Sequence, residues 1–107
     1  MKVDFEDMDL KELIETGRNR HYREVACSKV LMSGLRNAYK VMLAVQNAQS
    51  LGRYSFLHYE RLRYQYSGLS SVRLSNSSPV RLIFSEHDEG ITISLVKLDC
   101  THYGNKK

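Results

Sequence analysis

The residues of this chain most suited to chemistry are arginines. Arg73 and Arg81 each sit in a short run of alternating apolar residues, Val72-Arg73-Leu74 and Val80-Arg81-Leu82-Ile83-Phe84. Successive side chains of a strand point to opposite faces, so Arg73 would oppose Val72 and Leu74, and Arg81 would oppose Val80, Leu82 and Phe84. If a helix covers the Val72 and Leu82 side, both guanidinium groups emerge together on the other, uncovered side of the sheet. Two planar, always-charged forks on one sheet face form a phosphate-binding arrangement.

The surrounding charge agrees with an anionic partner. Residues 18–81 hold eleven Lys and Arg against only Glu24 and Glu60, a net of +9, whereas residues 1–17 come to −4 and residues 82–107 to −1. Nine of those eleven cations are Arg, and several lie beside aromatic residues, as in His21-Tyr22-Arg23, Arg53-Tyr54 and Arg61-Leu62-Arg63-Tyr64. Guanidinium groups pair with phosphate while rings stack on bases, which makes nucleic acid the leading class of partner. A metal site has little support, because Cys27 and Cys100 stand far apart and the four histidines are scattered, with no C-x-x-C and no H-E-x-x-H. Two free thiols in a reducing compartment are expected.

These residues must be positioned by a small fold. With 107 residues, 42% of them hydrophobic and one Pro, the chain has room for a single domain over 1–107 with one core between helices and a sheet. A two-domain, cofactor-enclosing enzyme is excluded on size. The longest apolar run, Val41 to Val45, is far short of the roughly 18 residues of a bilayer span. The acidic Asp4, Glu6, Asp7 and Asp9 stand where a signal peptide would be basic and then apolar, so a cytoplasmic location is expected.

A short strand is expected at Lys2 to Phe5, followed by a two-turn helix capped at Asp9-x-x-Glu12 and stopped by Gly17. A second short helix fits Asn19 to Ala26. Leu31, Leu35, Ala38, Met42 and Val45 recur at helical spacing and predict one long amphipathic helix over Lys29 to Ser50, closed by Leu51-Gly52. Strands are then expected at Phe56 to Leu62, Ser70 to Ser75, Val80 to Glu86 and Ile91 to Asp99, the last three forming an antiparallel meander through compact turns. Helices first and strands after predicts an α+β fold: an antiparallel sheet of about four to five strands with N-terminal helices packed on one face.

Four segments, in this order and at these spacings, resemble the RelE/ParE superfamily of bacterial toxins, closest to its HigB-like, YoeB-like and RelE members. They are Asp9-Leu-Lys-Glu-Leu-Ile-Glu-Thr-Gly17; Glu60-Arg-Leu-Arg63 with Ser67-Gly68-Leu-Ser-Ser-Val-Arg73-Leu74; Val80-Arg81-Leu-Ile-Phe84; and Cys100-Thr-His102-Tyr103. The resemblance spans nearly the whole chain. It departs from the family pattern at Val80, where an aromatic usually precedes the strand arginine, at Tyr64, where a glycine is usual, and in the tail from Gly104 to Lys107.

The resemblance implies a RelE-like fold and the toxin of a type II toxin-antitoxin system. Its implied activity is that of a metal-independent endoribonuclease, an mRNA interferase that inhibits translation by cutting messenger RNA in the decoding site of the 70S ribosome, without a cofactor. The 2′-hydroxyl of the message attacks its own phosphate, which requires a base, cations for the pentavalent charge and an acid for the leaving 5′-oxygen. By position, Glu60 would be the base, Arg81 and Arg73 the charge stabilisers, His102 the acid and Tyr103 a stacking or orienting group. Arg61 and Arg63 would hold RNA backbone. The implied partners are the message on the ribosome and a cognate antitoxin, such as a helix-turn-helix HigA-like protein, with no membrane involved. The other reading is a ParE-like protein that inhibits DNA gyrase without cutting RNA, or a relic that only binds antitoxin.

Overall fold

The computed structural model describes residues 1–63 and 67–100. The chain forms an α+β sandwich of two layers, a five-stranded sheet with helices on one face. In chain order the elements are β1 (Lys2–Phe5), α1 (Met8–Thr16), α2 (Arg23–Ala26), α3 (Lys29–Ala44), two 3-10 turns (Ala48–Arg53 and Ser55–Leu57), β2 (Glu60–Arg61), β3 (Leu69–Arg73), β4 (Arg81–His87), a third 3-10 turn (Asp88–Gly90) and β5 (Thr92–Asp99). The sheet order is β1-β5-β4-β3-β2. Neighbours from β2 to β5 pair antiparallel, as the compact turns predict for the last three strands. The sheet as a whole is mixed, because β1 pairs parallel to β5. Helices α1, α2 and α3 carry the chain from β1 across one face before β2 begins, which lets the first strand join the last in the same direction.

Local chemistry sets the helix ends. Asp7, rather than the expected Asp9, caps α1: its carboxylate accepts from the Asp9 and Leu10 amides at 2.9 and 3.3 Å. Gly17 ends the helix in the left-handed conformation, φ 81°. The Ser28 hydroxyl accepts from the Leu31 amide at 3.1 Å and starts α3. That helix stops at Ala44, short of the expected Ser50, because the Asn47 side chain accepts from the Ser50 amide at 3.0 Å and nucleates a separate 3-10 turn. The new turn buries Ala48 and Leu51. The expected strand from Phe56 is likewise replaced by a 3-10 turn, with Leu57 in the core and His58 at φ 49°; only Glu60–Arg61 remains extended.

One core joins the layers: Leu10, Leu13, Val25, Leu35, Ala38 and Met42 from the helices meet Val72, Leu82, Phe84, Ile93, Leu95 and Leu98 from the sheet. Strand β5 keeps this register only through a bulge. Ile83 pairs with Lys97 and Phe84 with Leu95, so Val96 has no partner. The extra residue inverts the alternation. Ile93 and Leu95 face the helices, and after the bulge so does Leu98, while Lys97 and Asp99 turn to the opposite face.

Candidate functional site

The sheet face away from the helices carries the candidate chemistry. Arg73 of β3 is directly opposite Arg81 of β4, and Arg81 is directly opposite Asp99 of β5. One pleat along, Glu60, Ser71, Ile83 and Lys97 form a parallel row across β2 to β5. The face is therefore ruled by two adjacent rows holding three cations and two carboxylates. Like charges directly opposite each other are destabilising in a sheet, so the Arg73–Arg81 pair needs acidic neighbours. Edge strand β2 supplies one, since Glu60 Oε2 lies 3.7 Å from Arg81 Nη1.

Burial differs across this face in a way that matters for access. The Arg81 side chain is only 16% exposed, whereas Glu60 is 54% exposed and able to meet an incoming ligand. Arg73 and Lys97 are half-buried. Sequence alternation predicted an uncovered face; instead Ile83, Ser71 and Asp99 are all buried on it. The arginines stand on a packed floor, which restricts their rotamers and favours a fixed geometry.

Of the residues singled out in the sequence, Glu60, Arg73 and Arg81 are brought together on this face. Arg61 is not. As the neighbour of Glu60 in β2 it points to the helix side, where its Nη2 lies 3.5 Å from Glu86 Oε1. Glu86 also accepts from the Tyr59 hydroxyl at 2.5 Å and the Ser70 hydroxyl at 2.7 Å, and Tyr59 stacks on Phe84. Burial, then the Glu86 hydrogen bond, raises the Tyr59 hydroxyl above its ordinary pKa. The cluster borders a cleft of about 570 Å³ that continues past Gly68, His87 and Asp88. Arg63 is exposed just beyond β2. His102 and Tyr103 lie outside the described residues.

Two residues of the face were missed in the sequence: Lys97 and Asp99. Strict alternation from Ile93 places both on the core side. The signal that could have found them is the apolar spacing itself, Ile93, Leu95, Leu98, whose step of two followed by three marks an inserted residue. Among the described residues no group of three or more His, Cys, Asp or Glu could hold a metal ion. No helix of the described chain is long and apolar enough to cross a membrane.

No sequence-family model and no curated protein matches this chain. Solved structures do. Six chains match, among them a "YoeB/ParE toxin from Agrobacterium tumefaciens", with a TM-score of 0.55 over 95% of this chain and 100% of that one at 11% identity. The two proteins share a fold: this chain has the α+β architecture of a YoeB/ParE toxin, with the Glu60, Arg73 and Arg81 side chains gathered on the helix-free face of its sheet.

Proposed function

We propose that this protein is the toxin of a toxin-antitoxin pair and acts as a metal-independent endoribonuclease on messenger RNA held by the ribosome. The observation that carries the reading is the placement of the Glu60 carboxylate 3.7 Å from Arg81, beside Arg73, on one face of the sheet. A base and two charge stabilisers are then within reach of a single phosphate. Glu60 takes the proton of the 2′-hydroxyl as that oxygen attacks phosphorus. Arg81 and Arg73 hold the non-bridging oxygens as charge builds, in positions set before substrate arrives. The bond to the 5′-oxygen breaks, and His102 delivers the proton that this oxygen needs. The products are a 2′,3′-cyclic phosphate and a 5′-hydroxyl end.

Tyr103 serves as a stacking or orienting group and Arg63 as a backbone contact. Arg61, held by Glu86 on the other side, takes no part in the chemistry. Lys97, in the row that contains Glu60, adds a third cation to the face. An antitoxin restrains the toxin in the cell by binding it.

The test is single-turnover cleavage on programmed ribosomes with wild type, Glu60→Gln, Arg81→Ala and His102→Gln. Removing one preorganised charge stabiliser costs about 3 kcal/mol in the transition state, so Arg81→Ala should lose on the order of 100-fold. Loss of an acid or base group should cost about 10²-fold or more, and His102→Gln should also remove a decline in rate at alkaline pH. Growth arrest without any cyclic-phosphate product would instead favour a ParE-like binder. Wild-type cleavage by all three variants would overturn the assignment.

A further inference from the structure

One edge of the sheet carries a self-complementary sequence. β1 stands at the end of the strand order and pairs only with β5. In a parallel ladder alternate residues turn their backbone groups to the neighbour, and here the Lys2 and Glu6 amides donate to the Ile91 and Leu95 carbonyls at 3.2 and 2.8 Å. Val3 and Phe5, in the alternate positions, therefore aim their N–H and C=O groups away from the sheet, where no described strand receives them. The side chains alternate as well. Val3 and Phe5 are half-buried and pack against the core, whereas Lys2 and Asp4 are exposed on the helix-free face.

The residue order decides what can cover such an edge. Met1-Lys2-Val3-Asp4-Phe5 runs apolar, basic, apolar, acidic, apolar, so turned end for end it meets itself with opposite charges facing and apolar residues facing. We propose that β1 pairs antiparallel with β1 of a second copy of this chain, Val3 opposite Val3, Lys2 opposite Asp4 and Met1 opposite Phe5, joining the two five-stranded sheets into one. The hydrogen-bond phase agrees with that register. The outward groups of Val3 form a doubly bonded pair on the two-fold axis, and the Phe5 amide donates to the Met1 carbonyl of the second copy. Lys2 and Asp4 then fall at the closer, non-bonded pairs, where opposite charges stabilise and like charges destabilise. Sliding the strands by two residues keeps the bonding phase but sets Asp4 against Asp4 or Lys2 against Lys2, so charge selects one register.

Charged side chains on an edge strand ordinarily repel another strand. Here each is cancelled by its opposite on the second copy, and neither Lys2 nor Asp4 has an ion-pair partner among the described residues. Apolar surface beside the edge widens the contact. The Phe5 ring lies 5.8 Å from that of Tyr39 on α3, and Leu43, one turn further along and 48% exposed, borders Met1, whose ammonium donates to the Leu43 carbonyl at 3.1 Å. The two-fold axis stands perpendicular to the sheet, so both helix layers lie on one side and both Glu60–Arg81 faces on the other. A strand pair this short is at the low end of specific contacts, and the dimer forms as concentration rises. Pairing needs only β1 and its neighbours and does not rest on the proposed function.

The experiment is sedimentation of the full chain at rising protein concentration, with wild type, Lys2→Glu, Asp4→Lys and an equimolar mixture of the two variants. Both positions are exposed, so both variants should fold, which thermal unfolding reports. Each variant alone sets like charges opposite each other at both symmetric pairs and should self-associate about tenfold or more weakly. In the mixture every altered charge meets an opposite one on the other variant, and dimerisation should return to near the wild-type level. A folding defect in either variant could not be repaired by mixing. A wild type that stays monomeric at every concentration would overturn the inference and leave the edge to a strand of another protein. Single variants that dimerise as wild type does, or a mixture that stays monomeric, would overturn it equally.

Discussion

Tyr22 shows how one side chain joins three elements and makes stability depend on pH. Its hydroxyl donates to Asp7, the residue that caps α1, and accepts from the Leu98 amide of β5 at 3.2 Å. Burial above all, with Asp7 second, pushes its ionisation above the ordinary tyrosine value. In the unfolded chain the phenol loses its proton near pH 10, while the folded protein retains it. Above that pH the unfolded state binds fewer protons, so stability falls as pH rises; below it the contribution is complete. Tyr59 acts in the same direction through burial and Glu86. Tyr22→Phe should cost about 1 to 3 kcal/mol at neutral pH by leaving the Asp7 oxygen and the Leu98 amide unpaired. It should also flatten the alkaline decline. Thermal melts of both proteins from pH 7 to 11 give the check, and parallel declines would mean that Tyr22 ionises as freely folded as unfolded. None of this was legible in the sequence, where Tyr22 reads as an aromatic beside two basic residues; its role depends on Leu98, 76 positions away. Arg73 and Arg81 were legible as sharing one sheet face, because strand alternation is local and survives any correct pairing, whereas Glu60 was singled out only by the family resemblance.

At the scale of elements, α3 owes its position to Gly34. A glycine inside a helix costs about 1 kcal/mol against alanine. The structure gives the return: a methyl group there would meet the Leu74 carbonyl oxygen at 1.9 Å and its carbon at 2.8 Å. Gly34 lets the helix lie directly on the end of β3, the strand that carries Arg73. Backbone cannot swing aside as a side chain can, so Gly34→Ala should lift α3 off the sheet and lower stability by about 1 to 3 kcal/mol despite the better helix former. That corresponds to a fall in Tm of roughly 4 to 8 °C per kcal/mol for a domain of this size. An unchanged Tm would show that the helix can slide without loss. Periodicity announced α3 but could not announce its end, since Val45 continues the apolar pattern and only the Asn47 turn interrupts it. The β5 bulge was hidden for a similar reason. Its effect on Lys97 and Asp99 appears only when β5 is paired with β4, and a one-residue insertion sends every later side chain to the opposite face.

The whole molecule separates its charge, and that sets what the site can do alone. By strand register the sheet face carries Glu60, Arg73, Arg81, Lys97 and the buried Asp99, and among its described residues there is no Tyr or Phe. Cations can attract an RNA strand, but base stacking on rings is what usually fixes single-stranded RNA in place. On the described residues of this face a message would be held by its phosphates, with Tyr103 its one proposed stacking group, and so left largely free to slide and rotate about them. In-line attack needs the 2′-oxygen, phosphorus and 5′-oxygen aligned, and imposing that alignment from outside is worth several kcal/mol. Naked message should therefore be cut at least about a thousandfold more slowly than the same message on a ribosome that already splays it. Binding of naked RNA should weaken steeply with salt, because phosphate contacts dominate it. The check is one series: cleavage rates for naked and ribosome-bound message at rising salt, with binding of the naked message measured alongside. Equal rates on the two substrates would mean that the sheet face orients RNA unaided, and a flat salt response would mean that the arginines are not its grip.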